Sequence, residues 1–133
     1  MKILVAEDEP SIVISLEFLL RGAGHDVTVA RNGSDALALT EKLRPDLVVL
    51  DVMLPVVDGF EVCRRIRGNS ATRDTRILML TARGRQSEMD KGLAAGANAY
   101  MTKPFATREL LETIASLLAG APSSVQTPHA RRQ

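Results

Sequence analysis

The sequence has one cysteine, Cys63, and two widely separated histidines, His25 and His129. A single thiol makes no internal disulfide, and so few soft ligands make no structural zinc site. No apolar run approaches the roughly 20 residues that span a bilayer. The apolar start at Met1–Ala6 turns acidic at Glu7, too soon for a signal peptide. A charge excess is missing too. Seventeen Lys plus Arg face sixteen Asp plus Glu, and Arg131 and Arg132 lie in the last three residues, which leaves fifteen cations against sixteen acids over 1–119. That part has no basic surplus with which to hold a nucleic-acid backbone. What is there is 133 residues, 45% apolar and 25% charged. This fits one compact domain, expected to be reduced, soluble and cytoplasmic, with no membrane partner.

Four short apolar runs stand between helical stretches: Ile3–Ala6, Leu47–Leu50, Ile77–Leu80 and Ala99–Met101. Runs this short with successive apolar residues suit strands covered on both faces, as in parallel sheets. A fifth run, Asp26–Ala30, alternates and reads as an edge strand. Ile12, Val13, Leu16, Leu19 and Leu20 make one helical stripe, with Pro10 near its start and Gly22 near its end. Leu110, Leu111, Ile114, Leu117 and Leu118 repeat that spacing, and weaker helical patterns cover 34–43, 59–67 and 86–95. The β-α order, repeated five times, predicts an α/β fold: a doubly wound five-stranded parallel sheet with helices on both faces. From Gly120 the composition turns to small and polar residues, with Val125 the one large apolar side chain. Residues 120–133 are therefore expected to be a disordered tail or linker stub.

The strands end in chemistry: Glu7 and Asp8 after the first, Asp51 after the third, Thr81 after the fourth, Lys103 after the fifth. In an open α/β sheet ligands bind beyond the carboxyl ends of the strands, where the strand order reverses. With the order 2-1-3-4-5, three carboxylates crowd one pocket beside a hydroxyl and an ammonium. Crowded carboxylates repel unless a cation or a proton intervenes, and an all-oxygen donor set favours Mg²⁺. A carboxylate there suits nucleophilic attack on phosphorus, with Lys103 and Thr81 facing the phosphoryl oxygens. Singly, Asp8 reads as a helix cap, Asp51 as a turn residue, Thr81 as a loop cap and Lys103 as a solvated lysine. Four strands ending this way at one edge are poorly explained by caps.

The chain resembles the receiver domains of two-component response regulators, similar to stand-alone chemotaxis-type receivers, over about residues 1–119. The resemblance rests on Glu7-Asp8, on Asp51 followed by Met53-Leu54-Pro55 and Asp58-Gly59, on Leu80-Thr81-Ala82, on Gly96-Ala97 and on Lys103-Pro104-Phe105. Asp8, Asp51, Thr81 and Lys103 are spaced by 43, 30 and 22 residues, as in that family. It implies a flavodoxin-like fold and a phospho-acceptor switch, not a conventional turnover enzyme: its phosphorylation would be self-catalysed and its autodephosphorylation slow. Asp51 would take phosphoryl from a phosphohistidine on a sensor histidine kinase or histidine phosphotransfer protein. Glu7, Asp8, Asp51 and the Met53 backbone carbonyl would hold Mg²⁺ (or Mn²⁺). Thr81, Ala82 and Lys103 would bind phosphate, the Lys103–Pro104 bond would be cis, and Tyr100 would be the switch aromatic, swinging inward. The change would reach a downstream protein through the face of the fourth helix, fifth strand and fifth helix.

Met53 and Arg83, two residues beyond Asp51 and Thr81, fall where such domains tune phosphoryl lifetime, and imply a phosphorylated state lasting minutes or longer. The dimer face of the winged-helix branch has lost its acids to Asn98 and Ala99 and its arginine to Thr113. Lys91 and Glu109 remain for one pair, so a monomer or weak dimer is expected. With no second core, the favoured reading is a stand-alone receiver that binds no nucleic acid; the alternative is a receiver separated from an output module. Among the remaining residues, Cys63 reads as core, His25 as solvated surface, and Arg64, Arg65 and Arg67 as a solvated helix face. Gly22-Ala23-Gly24 reads as a helix-ending turn, and Gly92 and Gly96 as packing and helix-ending positions. Two rival readings are disfavoured. An aspartyl-phosphate phosphatase of the haloacid dehalogenase type would need a second Asp where Met53 stands. A flavin carrier would need a phosphate-cradling loop where Glu7-Asp8-Glu9-Pro10 repels phosphate.

Overall fold

A computed structural model describes residues 1–82 and 86–120. Ten elements alternate: β1 (Lys2–Ala6), α1 (Pro10–Gly22), β2 (Asp26–Ala30), α2 (Gly33–Leu43), β3 (Leu47–Asp51), α3 (Gly59–Gly68), β4 (Arg76–Ala82), α4 (Gln86–Ala95), β5 (Ala99–Lys103) and α5 (Thr107–Leu118). The strands form one sheet in the order β2-β1-β3-β4-β5, every pairing parallel. This is the doubly wound, flavodoxin-like fold, with the expected edge strand at β2.

Within each apolar run successive side chains go to opposite faces. Leu4, Val48, Leu50, Ile77 and Met79 pack with Ala36, Phe60, Cys63, Ile66 and Ala95 from α2, α3 and α4. Ile3, Val5, Leu47, Val49 and Leu78 pack with Leu16 and Leu20 of α1 and Leu110, Ile114 and Leu117 of α5. Each buried Leu or Ile contributes ~1.5–3 kcal/mol relative to exposure, so the central strands fix the position of everything at their ends.

Several local features depart from the sequence reading. β4 and β5 extend past their apolar runs, because ladder bonds need backbone amides rather than apolar side chains; Thr81 pairs in register with Thr102 and Ala82 with Lys103. Asp8 is not the cap of α1: the residue before the helix is Glu9, with no side-chain cap bond, and Pro10 opens the helix. Arg64 and Arg65 are exposed and pair with Glu61 at 3.0 and 2.9 Å, but Arg67 is half-buried and hydrogen-bonded to four groups. His25 is half-buried rather than solvated, and its Nδ1 has no partner among the described residues. Arg83 and residues 121–133, with the tail expected there, lie outside the described residues.

Candidate functional site

β1 and β3 are neighbours, with Ala6 opposite Leu50, so the next residue of each chain segment, Glu7 and Asp51, emerges at the same sheet edge. Leu80 of β4 lies opposite Asp51, which brings Thr81 alongside, and β5 ends on Lys103. Glu7 is 0% exposed and Asp51 2%, whereas Asp8 is exposed. Carboxylate oxygens of Glu7, Asp8 and Asp51 lie within 4.8 Å of one another. Lys103 Nζ donates to Glu7 Oε1 at 3.2 Å and lies 3.0 Å from Asp51 Oδ1. Asp51 Oδ1 is thus buried in an ion pair, without a directed hydrogen-bond donor among the described residues. The other Glu7 oxygen accepts from the Glu9 amide at 3.1 Å.

The charges do not balance: three carboxylates cluster, and one ammonium pairs with two of them. Burial pushes the Glu7 carboxyl above its usual range and the Asp51 charge pushes it further, against the opposing pull of the Glu9 amide and Lys103. Burial works against the Lys103 ammonium, yet Asp51 and Glu7 outweigh it and hold its pKa up. Hard oxygen donors this close, one of them lacking a directed donor, fit Mg²⁺.

The loop after β3 is held by backbone. Asp58 accepts from Glu61 N at 2.9 Å and caps α3. A Cβ on Gly59 would run into the Asp51 carbonyl, so the Asp58-Gly59 pair lets the helix start lie against the acceptor segment. Val56 sits at φ +74 with Val57 N bonded to Pro55 O at 2.9 Å, a left-handed γ-turn. Pro55 O also takes the Gly33 amide at 3.0 Å, and a Cβ on Gly33 would meet the Val57 carbonyl.

The remaining expected residues fall as follows. Thr81 is buried, its hydroxyl directed to Met101 O at 3.5 Å. Lys103–Pro104 is a cis peptide. Met53 is exposed, and Ala82 closes β4. Tyr100 is already buried in this structure, in the cluster with Phe60 and Met79. Thr113 is buried and Asn98 is bonded to Arg67 and Ile77, which keeps both off an open face. Lys91 rests over the Phe60 ring, 4.7 Å from its centroid.

An exposed apolar patch also escaped the sequence reading. Ile14 and Phe18, 67% and 77% exposed, make a second apolar stripe on α1. On the same helix Ser11, Ile12 and Ser15 line a groove of about 510 Å³ with Lys103, Pro104 and Phe105. Their i, i+4 spacing was the available signal, hidden by the stronger core stripe.

The family model for the response regulator receiver domain matches residues 3–115, and the chain belongs to that family. It is a phospho-accepting signalling module of two-component systems rather than a conventional enzyme, and such domains work with histidine kinases. It is 46% identical over 127 residues (92% of this chain, 52% of the relative) to the alkaline phosphatase synthesis transcriptional regulatory protein PhoP of Bacillus subtilis (strain 168). The chain spans about half the length of the curated relatives it matches. Among solved structures it is similar to a response regulator from Chloroflexus aurantiacus J-10-fl, with TM-score 0.86, 41% identity and coverage of 89% and 97% of the two chains. It is also similar to the receiver domain of a sensor histidine kinase from Pseudomonas aeruginosa PAO1, solved with a magnesium ion coordinated in its active-site cleft. That match has TM-score 0.83, 35% identity and coverage of 89% and 97%. No helix among the described residues is long and apolar enough to cross a membrane.

Proposed function

We propose that Asp51 is the phosphoryl acceptor of a Mg²⁺-dependent switch spanning residues 1–119. The observation that carries this reading is the buried Asp51 carboxylate, close to Glu7, Asp8 and the Lys103 ammonium and lacking a directed donor at Oδ1. An Asp51 oxygen attacks phosphorus in line with the P–N bond of a phosphohistidine. The O–P bond forms as the P–N bond breaks, and the electron pair leaves on the imidazole nitrogen, which takes up a proton. Glu7, Asp8, Asp51 and the Met53 carbonyl would hold the metal, which when bound would offset charge on the phosphoryl oxygens. Lys103 pairs with one phosphoryl oxygen, while the Ala82 backbone and the Thr81 hydroxyl, turned from Met101 O, bind others.

That turn of Thr81 is the link to Tyr100 and to the face of α4, β5 and α5. The burial of Thr113 and the bonded state of Asn98 support a monomer or weak dimer through that face. Met53 and Arg83 slow water attack, giving a phosphorylated state of minutes. The exposed stripe of Ile14 and Phe18 beside the Lys103–Phe105 groove supports a protein phosphodonor docking there. Nothing in the charge of residues 1–119 supports nucleic-acid contact by this chain itself. The test is phosphoramidate, whose P–N bond is that of phosphohistidine. With Mg²⁺ it should add one phosphoryl group (about 80 Da), labile to hydroxylamine. Equal addition in EDTA would contradict the reading.

A further inference from the structure

We propose that α3 anchors the C-terminal end of α4 through Cys63 and Arg67, so that α4 answers phosphorylation as a lever hinged at Gly96–Asn98. The inference rests on the Asp51 switch for its trigger but not for the anchor itself. Cys63 and Arg67 are one helical turn apart on α3 and grip successive parts of the same corner. The buried Cys63 thiol donates to Ala95 O at 3.4 Å. Arg67 Nε donates to Gly96 O at 2.9 Å, and the guanidinium reaches Asn98 Oδ1 at 2.7 Å, Thr75 O at 2.6 Å and Arg73 O at 2.8 Å. Asn98 Oδ1 takes the Ile77 amide as well, at 2.7 Å, and Asn98 N donates to Ile77 O at 2.9 Å. The planar fork of an arginine, unlike the point charge of a lysine, can satisfy several carbonyls held in fixed directions.

Gly96 completes the anchor. It sits at φ +112, and a Cβ there would press on the Arg67 stem. Both buried residues of α4, Gly92 and Ala95, lie in its second half, Gly92 close against Met79. The first half is different: Gln86, Ser87 and Asp90 are exposed, Glu88 and Met89 half-buried. Lys91 rests over Phe60 at the surface. Burial thus falls off toward the start of α4, the end that follows the Thr81 strand.

Hydrogen–deuterium exchange on the full chain, with and without Mg²⁺ and beryllofluoride, tests this. In the unphosphorylated protein the amides of 92–98 should exchange at least ten-fold more slowly than those of 87–91. Beryllofluoride should alter 87–91 and leave 92–98 within two-fold. Arg67→Gln should speed 92–98 ten-fold and spread the beryllofluoride response over the whole helix, while phosphorylation by phosphoramidate stays within two-fold. Arg67→Lys, which keeps the stem but not the fork, should give the same spread in a milder form and serves if the glutamine variant fails to fold. Uniform protection along α4, a beryllofluoride response as strong at 92–98 as at 87–91, or unchanged exchange in both variants would overturn the anchor. Failure of phosphorylation with the protection gradient intact would instead overturn the reading of Asp51.

Discussion

At the N-terminal ends of β1, β3 and β4 the charged side chains of Lys2, Asp46 and Arg76 each meet backbone partners. Asp46 Oδ2 accepts from Lys2 N at 2.8 Å, Lys2 Nζ donates to Leu43 O at 2.9 Å, and Arg76 Nε reaches Leu117 O at 3.3 Å. At the C-terminal ends of β1 and β3, Glu7 and Asp51 share the Lys103 ammonium, and the Asp8 carboxylate lies close to both. Both ends are carried by one apolar sheet interior, so the difference is not one of scaffold. The charged groups at one end close on backbone partners within the chain; the other end leaves a negative excess that suits a metal ion, whose charge in turn would let an anionic phosphoryl group approach. The fold tolerates the excess because its stability comes from the two buried clusters between the ends.

The comparison is broken most severely by putting charge where neither end has it, under α3. Burial pushes the Cys63 thiol up to about 11, against an ordinary 9.0. Unfolded chains therefore ionise first as pH rises, the native state holds the extra proton, and stability is complete below pH 9 and lost as pH rises through about 11. The loss attributable to this thiol is on the order of 2–3 kcal/mol. Urea melts from pH 8 to 11 should show that fall in the wild type and a shallower one in Cys63→Ala; parallel curves would argue against it.

Relieving the crowded end should have the next largest effect. Asp51→Asn removes the charge facing Glu7 and should raise stability in EDTA by about 1–2 kcal/mol, while erasing the thermal shift that Mg²⁺ gives the wild type. Thermal melts with and without Mg²⁺ check both halves, and a variant less stable than wild type in EDTA would mean that the Lys103 pair outweighs the repulsion.

Two smaller changes sharpen the contrast. Val56→Gly releases a β-branched residue from φ +74 and should stabilise by ~1 kcal/mol in chemical denaturation, a destabilisation showing the turn to be unstrained. Asp46→Ala, at the balanced end, should cost about 0.5–1 kcal/mol in the same assay and leave phosphorylation untouched. A changed phosphorylation rate would show that the two ends are coupled.

Much of this site was legible because strands in a parallel sheet deliver their following residues to one edge. Glu7, Asp51, Thr81 and Lys103 are far apart in sequence, yet each follows or ends an apolar run that announces itself. The registers then do the rest. What sequence concealed depends on backbone or on tertiary neighbours. Val56 looks like an ordinary apolar residue, and nothing in its identity signals a left-handed turn. Arg67 sits beside Arg64 and Arg65 and looks like a third solvated arginine; only the fold brings Gly96 and Asn98 to it. Asp8 was consistent with a cap until the chain entered α1 at Glu9-Pro10. The apolar exposure of Ile14 and Phe18 was masked by the core stripe that shares their helix.

The central claim is tested most directly by locating the phosphoryl group after incubation with acetyl phosphate and Mg²⁺. The account predicts a single hydroxylamine-labile adduct on the peptide that contains Asp51, lost in EDTA and in Asp51→Asn. An adduct on another residue, or one that persists in Asp51→Asn at the wild-type level, would contradict it.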